Sequence, residues 1–197
     1  MNRPASIAVV VGSTRPARIC LDIATWVCGS IQASSPLRYE LLDLADVGLP
    51  LLDEPLKASL QTYKHEHTKR WSERVQAFDG FLFVTPQYNW GYPAVLKNAL
   101  DYLYVEWHDK PATVLTYGTH GGGKAAKQLQ EVLVGLHMRL LPEHIEAAIG
   151  AGDLDSNWQL VDVEATLAPI RSQLRTLDGH FSEAALAVDS DLFADGK

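Results

Sequence analysis

Cysteine is scarce: Cys20 and Cys28 are the only two in 197 residues, with no Cys-x-x-Cys pair and no metal-like Cys/His spacing. Two thiols cannot staple a chain this long, and such usage points to a reducing compartment, so a cytoplasmic protein is expected. Basic residues are in deficit as well, 17 Lys and Arg against 24 Asp and Glu, for a formal net charge of -7. A general nucleic-acid binder needs a basic face to neutralise phosphates, which sets that class aside. A small anionic ligand held by a few local donors stays open. Long apolar runs are missing: no stretch approaches the roughly 20 residues that span a bilayer, so no membrane partner is expected. The first residues, Met1 to Pro4, lead straight into a short β-like run rather than a signal peptide's apolar segment. His65-Glu66-His67 lacks the spacing that places two imidazoles on one helix face, which argues against a zinc hydrolase and for a solvated helix start. What remains is an ordinary globular composition, 47% hydrophobic and 21% charged, enough for one full core and too little for two.

The order of patterns along the chain sets the fold class. Ser6 to Val11 is a β-branched run stopped by Gly12, as in a strand buried on both faces. Ile19, Ile23, Trp26, Val27 and Ile31 then fall on one helical face. Leu37 to Leu44 reads as a second strand, followed by a long connection from Val47 to Tyr63 and a helix near His67. Phe81 to Thr85 and Ala112 to Tyr117 are further strands, each followed by helical periodicity. Met138 to Leu141, with an extension past Pro142 toward Ile149, supplies the fifth strand. Leu160, Val163, Leu167, Ile170, Leu174 and Leu177 form the stripe of a final helix. Alternating strands and helices imply right-handed crossovers and a parallel sheet. Five strands favour the order 2-1-3-4-5 of a flavodoxin-like α/β three-layer sandwich over a six-stranded dinucleotide fold. This domain is expected over residues 1–178, with residues 179–197 as an acidic, loosely ordered tail.

In an open parallel sheet, ligands bind beyond the carboxyl ends of the strands, which selects three loops. The first, Gly12-Ser13-Thr14-Arg15-Pro16-Ala17-Arg18, combines a tight turn, hydroxyls, a guanidinium and a helix start, a set suited to a terminal phosphate. Its spacing fits neither a Walker loop nor Gly-x-Gly-x-x-Gly. An ordinary helix start, capped by Ser13 or Thr14, would read the same way. The second, Thr85 to Pro93, packs Gln87, Tyr88, Asn89, Trp90 and Tyr92 between prolines and can lie along a planar heterocycle or complete a core or subunit contact. The third, Tyr117 to Lys124, carries Thr119, His120 and three consecutive glycines, whose N–H groups can face a carbonyl or a developing negative charge. His120 either supplies positive charge there or is simply solvated.

Taken together, the segments GSTRPARIC, TPQYNWGYPAVLKNALDYLYVEW and TYGTHGGGKAAKQLQEVL resemble the NADPH-dependent FMN reductase family of flavodoxin-like proteins, from about Ser6 to Leu141. The resemblance implies that Ser13, Arg15 and Arg18, with backbone N–H groups through Ile19 and Cys20, bind the FMN phosphate. It implies that Pro86, Gln87, Tyr88 and Asn89 border the isoalloxazine, and that Gly118, Thr119, His120, Gly121 and Gly122 close its pyrimidine side. Lys97 and Asn98 match the same block as structural or interface residues. Many relatives carry glycine at Ala17, serine at Arg18 and glutamate at Gln87, so the donor set differs here. The implied activity is hydride transfer from NADPH or NADH through FMN to a small-molecule acceptor such as a flavin, quinone, azo dye or metal oxyanion, by a homodimer or homotetramer. The flavin carries the chemistry, so no catalytic triad is expected. The alternative is a flavodoxin-type electron carrier without NAD(P)H turnover; such carriers hold the phosphate with neutral hydroxyls, whereas this loop offers Arg15 and Arg18.

Overall fold

A computed structural model describes residues 3–194, with side chains described up to residue 186. Strand β1 (Ser6–Val11) is buried along its whole length and passes through the first loop into α1 (Cys20–Gln32). Next come β2 (Arg38–Asp43), the short α2 (Leu44–Val47), α3 (Glu66–Gln76) and β3 (Gly80–Pro86). They are followed by α4 (Ala94–Asp101), β4 (Pro111–Gly118) and α5 (Gly123–Gly135). The chain continues with β5 (Arg139–Leu140), β6 (Ile145–Ala148), α6 (Val163–Leu167) and α7 (Arg171–Ala194).

All pairings are parallel, and the sheet runs β2-β1-β3-β4-β5 with β6 also beside β4. The expected order 2-1-3-4-5 is therefore the observed one. The fifth position is divided: Arg139 and Leu140 pair with Pro111 and Ala112, while Ile145 to Ala148 pair with Leu115 to Gly118. Pro142 lies in the gap and has no N–H to give the ladder. The Thr113 hydroxyl instead donates to Glu143 O at 2.6 Å, which holds the interruption against β4.

Period-two alternation sends side chains to two cores. Ile7, Val9, Val11, Leu82, Val84 and Leu115 meet Ile23 and Val27 of α1 and Leu174, Leu177 and Phe181 of α7. Ala8, Val10, Phe81, Phe83 and Val114 meet Trp71, Leu100, Trp107 and Leu129 on the other face. Both buried indoles are satisfied, Trp71 Nε1 by Ala99 O at 2.9 Å and Trp107 Nε1 by Leu100 O at 3.2 Å. The long connection before α3 is pinned by Asn98, which accepts from Leu52 N and donates to Pro50 O. Asn98 is thus structural, as its sequence context implies.

The final helical stripe is interrupted where Pro169 forces a 3₁₀ turn, Ala168–Ile170, between α6 and α7. Helix α7 does not end at Gly179: it continues through that residue, and Phe181 is fully buried. A loosely ordered tail beginning at Gly179 is not what the structure shows. Among the side chains described beyond Gly179, up to residue 186, Phe181 alone is buried, and residues 195–197 lie outside the described part. Among the described residues, no helix is long and apolar enough to cross a membrane, and no group of three His, Cys, Asp or Glu side chains could hold a metal ion.

Candidate active site

The three loops meet at the carboxyl end of the sheet because β1, β3 and β4 are adjacent. Gly12 donates its N–H to Val84 O at 2.8 Å, and a Cβ on it would lie 2.9 Å from that oxygen. Only glycine lets the first loop leave the sheet so close to β3. Ser13 is fully buried, and its Oγ lies 3.0 Å from the Tyr88 hydroxyl, which ties the first loop to the second. The second is tied to the third by Gln87 N donating to Tyr117 O at 3.1 Å.

A cavity of about 430 Å³ opens between them, lined by Arg15, Arg18, Ile19, Pro86, Tyr88 and Tyr117 among others. The first loop, whose Arg15 to Ile19 line this cavity, carries unspent donors. The N–H groups of Thr14, Ala17 and Ile19 have no acceptor among the described residues, Ser13 N–H faces Cys20 Sγ, and Cys20 N–H opens α1, where no intrahelical partner exists. No side chain caps α1, so the reading of Ser13 or Thr14 as an ordinary helix cap does not hold. Arg15 is exposed and enters no ion pair among the described residues. Free N–H groups, a helix start and an unpaired guanidinium together suit one phosphate.

Arg18 is placed differently from Arg15. Its Nη2 donates to Asp43 Oδ2 at 2.5 Å, its N–H is taken by Arg15 O, and its Nε is buried without a partner among the described residues. Asp43 also caps α2 by accepting from Ala45 N at 2.9 Å. Arg18 therefore fastens the first loop to the end of β2, with only part of its donor fork free. Cys20 contributes only its backbone: burial pushes its thiol up to about 11, and Sγ donates to Val84 O. That thiol stays protonated near neutrality.

Tyr88 and Gly91 exchange N–H···O bonds at 2.8 and 2.9 Å around Asn89 (φ 47°) and Trp90 (φ 73°). Two left-handed central residues make a type I′ turn. Asparagine tolerates this conformation, but tryptophan is an outlier there, and its indole is 65% exposed beneath Lys124 Nζ, 3.2 Å from the ring centroid. Gln87 turns away from the cavity: its Oε1 accepts from Lys124 N and Ala125 N at the start of α5.

In the third loop, Gly121 and Gly122 have φ of 77° and 86°. A Cβ on Gly121 would lie 2.8 Å from Glu146 Cβ, and one on Gly122 would lie 3.0 Å from Thr116 Cβ. These glycines serve the turn and its packing on β4 and β6. Gly121 N–H is spent on Gly118 O, whereas the N–H groups of Thr119 and His120, both exposed, have no acceptor among the described residues. Gly118 faces open space. Gln87, Asn89 and Gly118 to Gly122, named with the site from the sequence, are not among the residues that line the cavity.

Sequence reasoning missed a fourth wall. Leu154, Asn157 and Trp158, on a hairpin after β6, complete the lining. The only signal there was a lone Trp in a polar run, in a segment where the family-like motifs have already ended.

A family model described as NADPH-dependent FMN reductase matches residues 5–151. An NAD(P)H-dependent FMN reductase of Schizosaccharomyces pombe is 49% identical over 138 residues, 69% of each chain. One from Saccharomyces cerevisiae is 46% identical over 146 residues, 68% of this chain and 76% of the relative. Among solved structures, the flavoenzyme NAD(P)H:(acceptor) oxidoreductase from Paracoccus denitrificans superposes with a TM-score of 0.68 at 23% identity. That superposition covers 91% of this chain and 98% of the other, a likeness of fold. With 49% identity at its strongest among these relatives and a family match that takes in all three loops, the chain belongs to the NADPH-dependent FMN reductase family.

Proposed function

We infer that this chain is an NAD(P)H-dependent FMN reductase whose flavin lies across the first three loops. The observation that carries the reading is that Arg15, unengaged and on a loop with free N–H groups, lines one cavity together with Pro86 and Tyr88. That arrangement matches a molecule with one phosphate and one flat ring system. Arg15 and the N–H groups of Thr14, Ala17, Ile19 and Cys20 would hold the phosphate, with Arg18 keeping the loop in place. Pro86, Tyr88 and Asn89 would flank the ring, and Thr119 and His120 would donate to its polar edge from beside Gly118.

Bound FMN supplies the two-electron chemistry, accepting hydride from NAD(P)H and releasing electrons to an acceptor. The chain's part is positional and electrostatic. Rigid turns fix the contact surface, and N–H donors from Thr119 and His120 favour negative charge at the ring edge. We propose a flavin, quinone, azo compound or similar small molecule as acceptor. We further propose that the enzyme works in the cytoplasm as a homodimer or homotetramer. Exposed apolar side chains on the connection before α3, Leu51 at 83% exposure with Leu52, Leu56 and Leu60, support assembly.

Purified protein mixed with FMN and then with NADPH under anaerobic conditions tests the activity. Loss of the oxidised flavin's visible absorbance is expected. FMN binding without that bleaching would make the chain an electron carrier of the flavodoxin type instead.

A further inference from the structure

The hairpin between β6 and α6 is more tightly built than a connecting loop requires. Leu154 and Leu160 form an antiparallel bridge, and the Asp155 carboxylate accepts from Asn157 N at 2.8 Å and Gln159 N at 2.9 Å. Trp158 N donates to Asp155 O at 3.0 Å. This network holds Trp158 at φ 62°, a left-handed backbone that bulky residues rarely adopt. The indole is 74% exposed. A large apolar side chain kept in water, on a backbone it disfavours, gains nothing for folding.

Two further observations connect it to the site. Trp158 lines the same cavity as Arg15, Ile19, Pro86 and Tyr88. Gln159 Nε2 donates to Ala17 O at 3.0 Å, and Ala17 is itself left-handed, at φ 56°. The hairpin tip is thus anchored to the first loop, which carries Arg15 and the unspent N–H groups of Thr14, Ala17 and Ile19. Leu154 and Asn157 of the same hairpin line the cavity with it, as does Tyr88 of the second loop.

We propose that the Asp153–Val161 hairpin is a clamp on FMN, in which the Trp158 indole covers the ribityl-phosphate arm and slows its release. The proposal rests on the FMN reading above and adds a wall and a task to it. Covering the arm removes indole surface from water only in the complex, so the contact acts on dissociation more than on association. The Gln159–Ala17 bond couples the two partners: an ordered phosphate loop holds the hairpin in place, and the hairpin in turn orders the loop.

The test is FMN binding, independent of turnover. Stopped-flow release of FMN from wild type, Trp158→Ala and Trp158→Phe is compared, alongside equilibrium titration and melting of the FMN-free proteins. Trp158→Ala is expected to release FMN about tenfold faster, with a matching rise in Kd equivalent to about 1.4 kcal/mol. Trp158→Phe should restore most of the difference, and the FMN-free melting temperature should not fall in either variant. Unchanged FMN release in Trp158→Ala would overturn the clamp while leaving the FMN site standing. So would an FMN Kd in Trp158→Ala equal to that of wild type. Wild-type protein that does not take up FMN at all would remove the underlying reading instead.

Discussion

The Gln87 side chain is the cap of the helix that carries Lys124: its Oε1 accepts from Lys124 N and Ala125 N, each at 3.2 Å. One amide thereby joins the loop after β3 to the loop after β4, reinforced by its own N–H on Tyr117 O. Gln87→Ala leaves two first-turn donors without an acceptor and should lower stability by about 1 kcal/mol. Gln87→Glu keeps the acceptor and adds a charge of the sign the helix start favours, so it should retain or exceed wild-type stability. Urea unfolding of the three proteins checks the order. Equal stability of Gln87→Ala and wild type would mean that the cap is not formed.

Arg15 and Arg18, three residues apart, should separate cleanly on mutation. Arg15 is exposed and unpaired among the described residues, so Arg15→Ala should leave the FMN-free melting temperature within error. Its FMN affinity should fall at least tenfold, since a charge-assisted contact is worth about 1.5–3 kcal/mol. Arg18→Ala strands Asp43, whose side chain is only 9% exposed. Leaving such a carboxylate unpaired should destabilise the FMN-free protein by up to about 3 kcal/mol, below or at the low end for a fully buried pair. Calorimetry and flavin titration of both variants distinguish the two roles. Identical stabilities for them would contradict the geometry.

Gly121→Val should damage folding rather than merely shield the cavity. Its Cβ would meet Glu146 Cβ at 2.8 Å, on a backbone at φ 77° that valine does not tolerate. Gly118→Ala, whose methyl would meet nothing within 4 Å, should fold normally. Soluble yield and melting temperature of the pair are the measurements, and a Gly121→Val protein as stable as wild type would show that the turn can rearrange.

These glycines also mark where the sequence stops being legible. The parallel sheet between helices was readable because Val9 and Val10, or Leu82 and Phe83, are apolar on both faces, and its order came from the count of five strands. The location of the site was readable from the loops those strands end in. Individual roles were not. A run of three glycines looks the same whether a ligand or Glu146 occupies the space beside it, and Gln87 looks the same facing a ring or a helix start. Arg18 reads as a free cation until Asp43, 25 residues away, is brought beside it. Trp158 escaped notice because its significance lies in a cavity whose other walls are distant in sequence. The helix through Gly179 was obscured for a related reason: Phe181 is one buried residue in a polar run, and its packing against Tyr39 is a tertiary fact.

Lys110 gives a stability prediction with a definite pH signature. Its half-buried Nζ donates to Val75 O at 2.8 Å and lies 5.6 Å from the centroid of the Phe81 ring. Burial pulls its pKa down to about 8, despite the opposing pull of Asp79 and Glu106. Below pH 8 the ammonium is charged in both folded and unfolded chains, and the folded chain carries the full cost of desolvating it. Between about 8 and the ordinary 10.5 the folded state releases its proton first, so the unfolded state binds more protons and stability rises with pH. Lys110→Met should therefore be more stable than wild type at pH 7, and the difference should shrink as pH approaches 10. Urea midpoints of both proteins at the two pH values decide it, because titrations elsewhere in the chain cancel in the comparison. A difference that stays constant, or grows with pH, would show that Lys110 is not desolvated in solution.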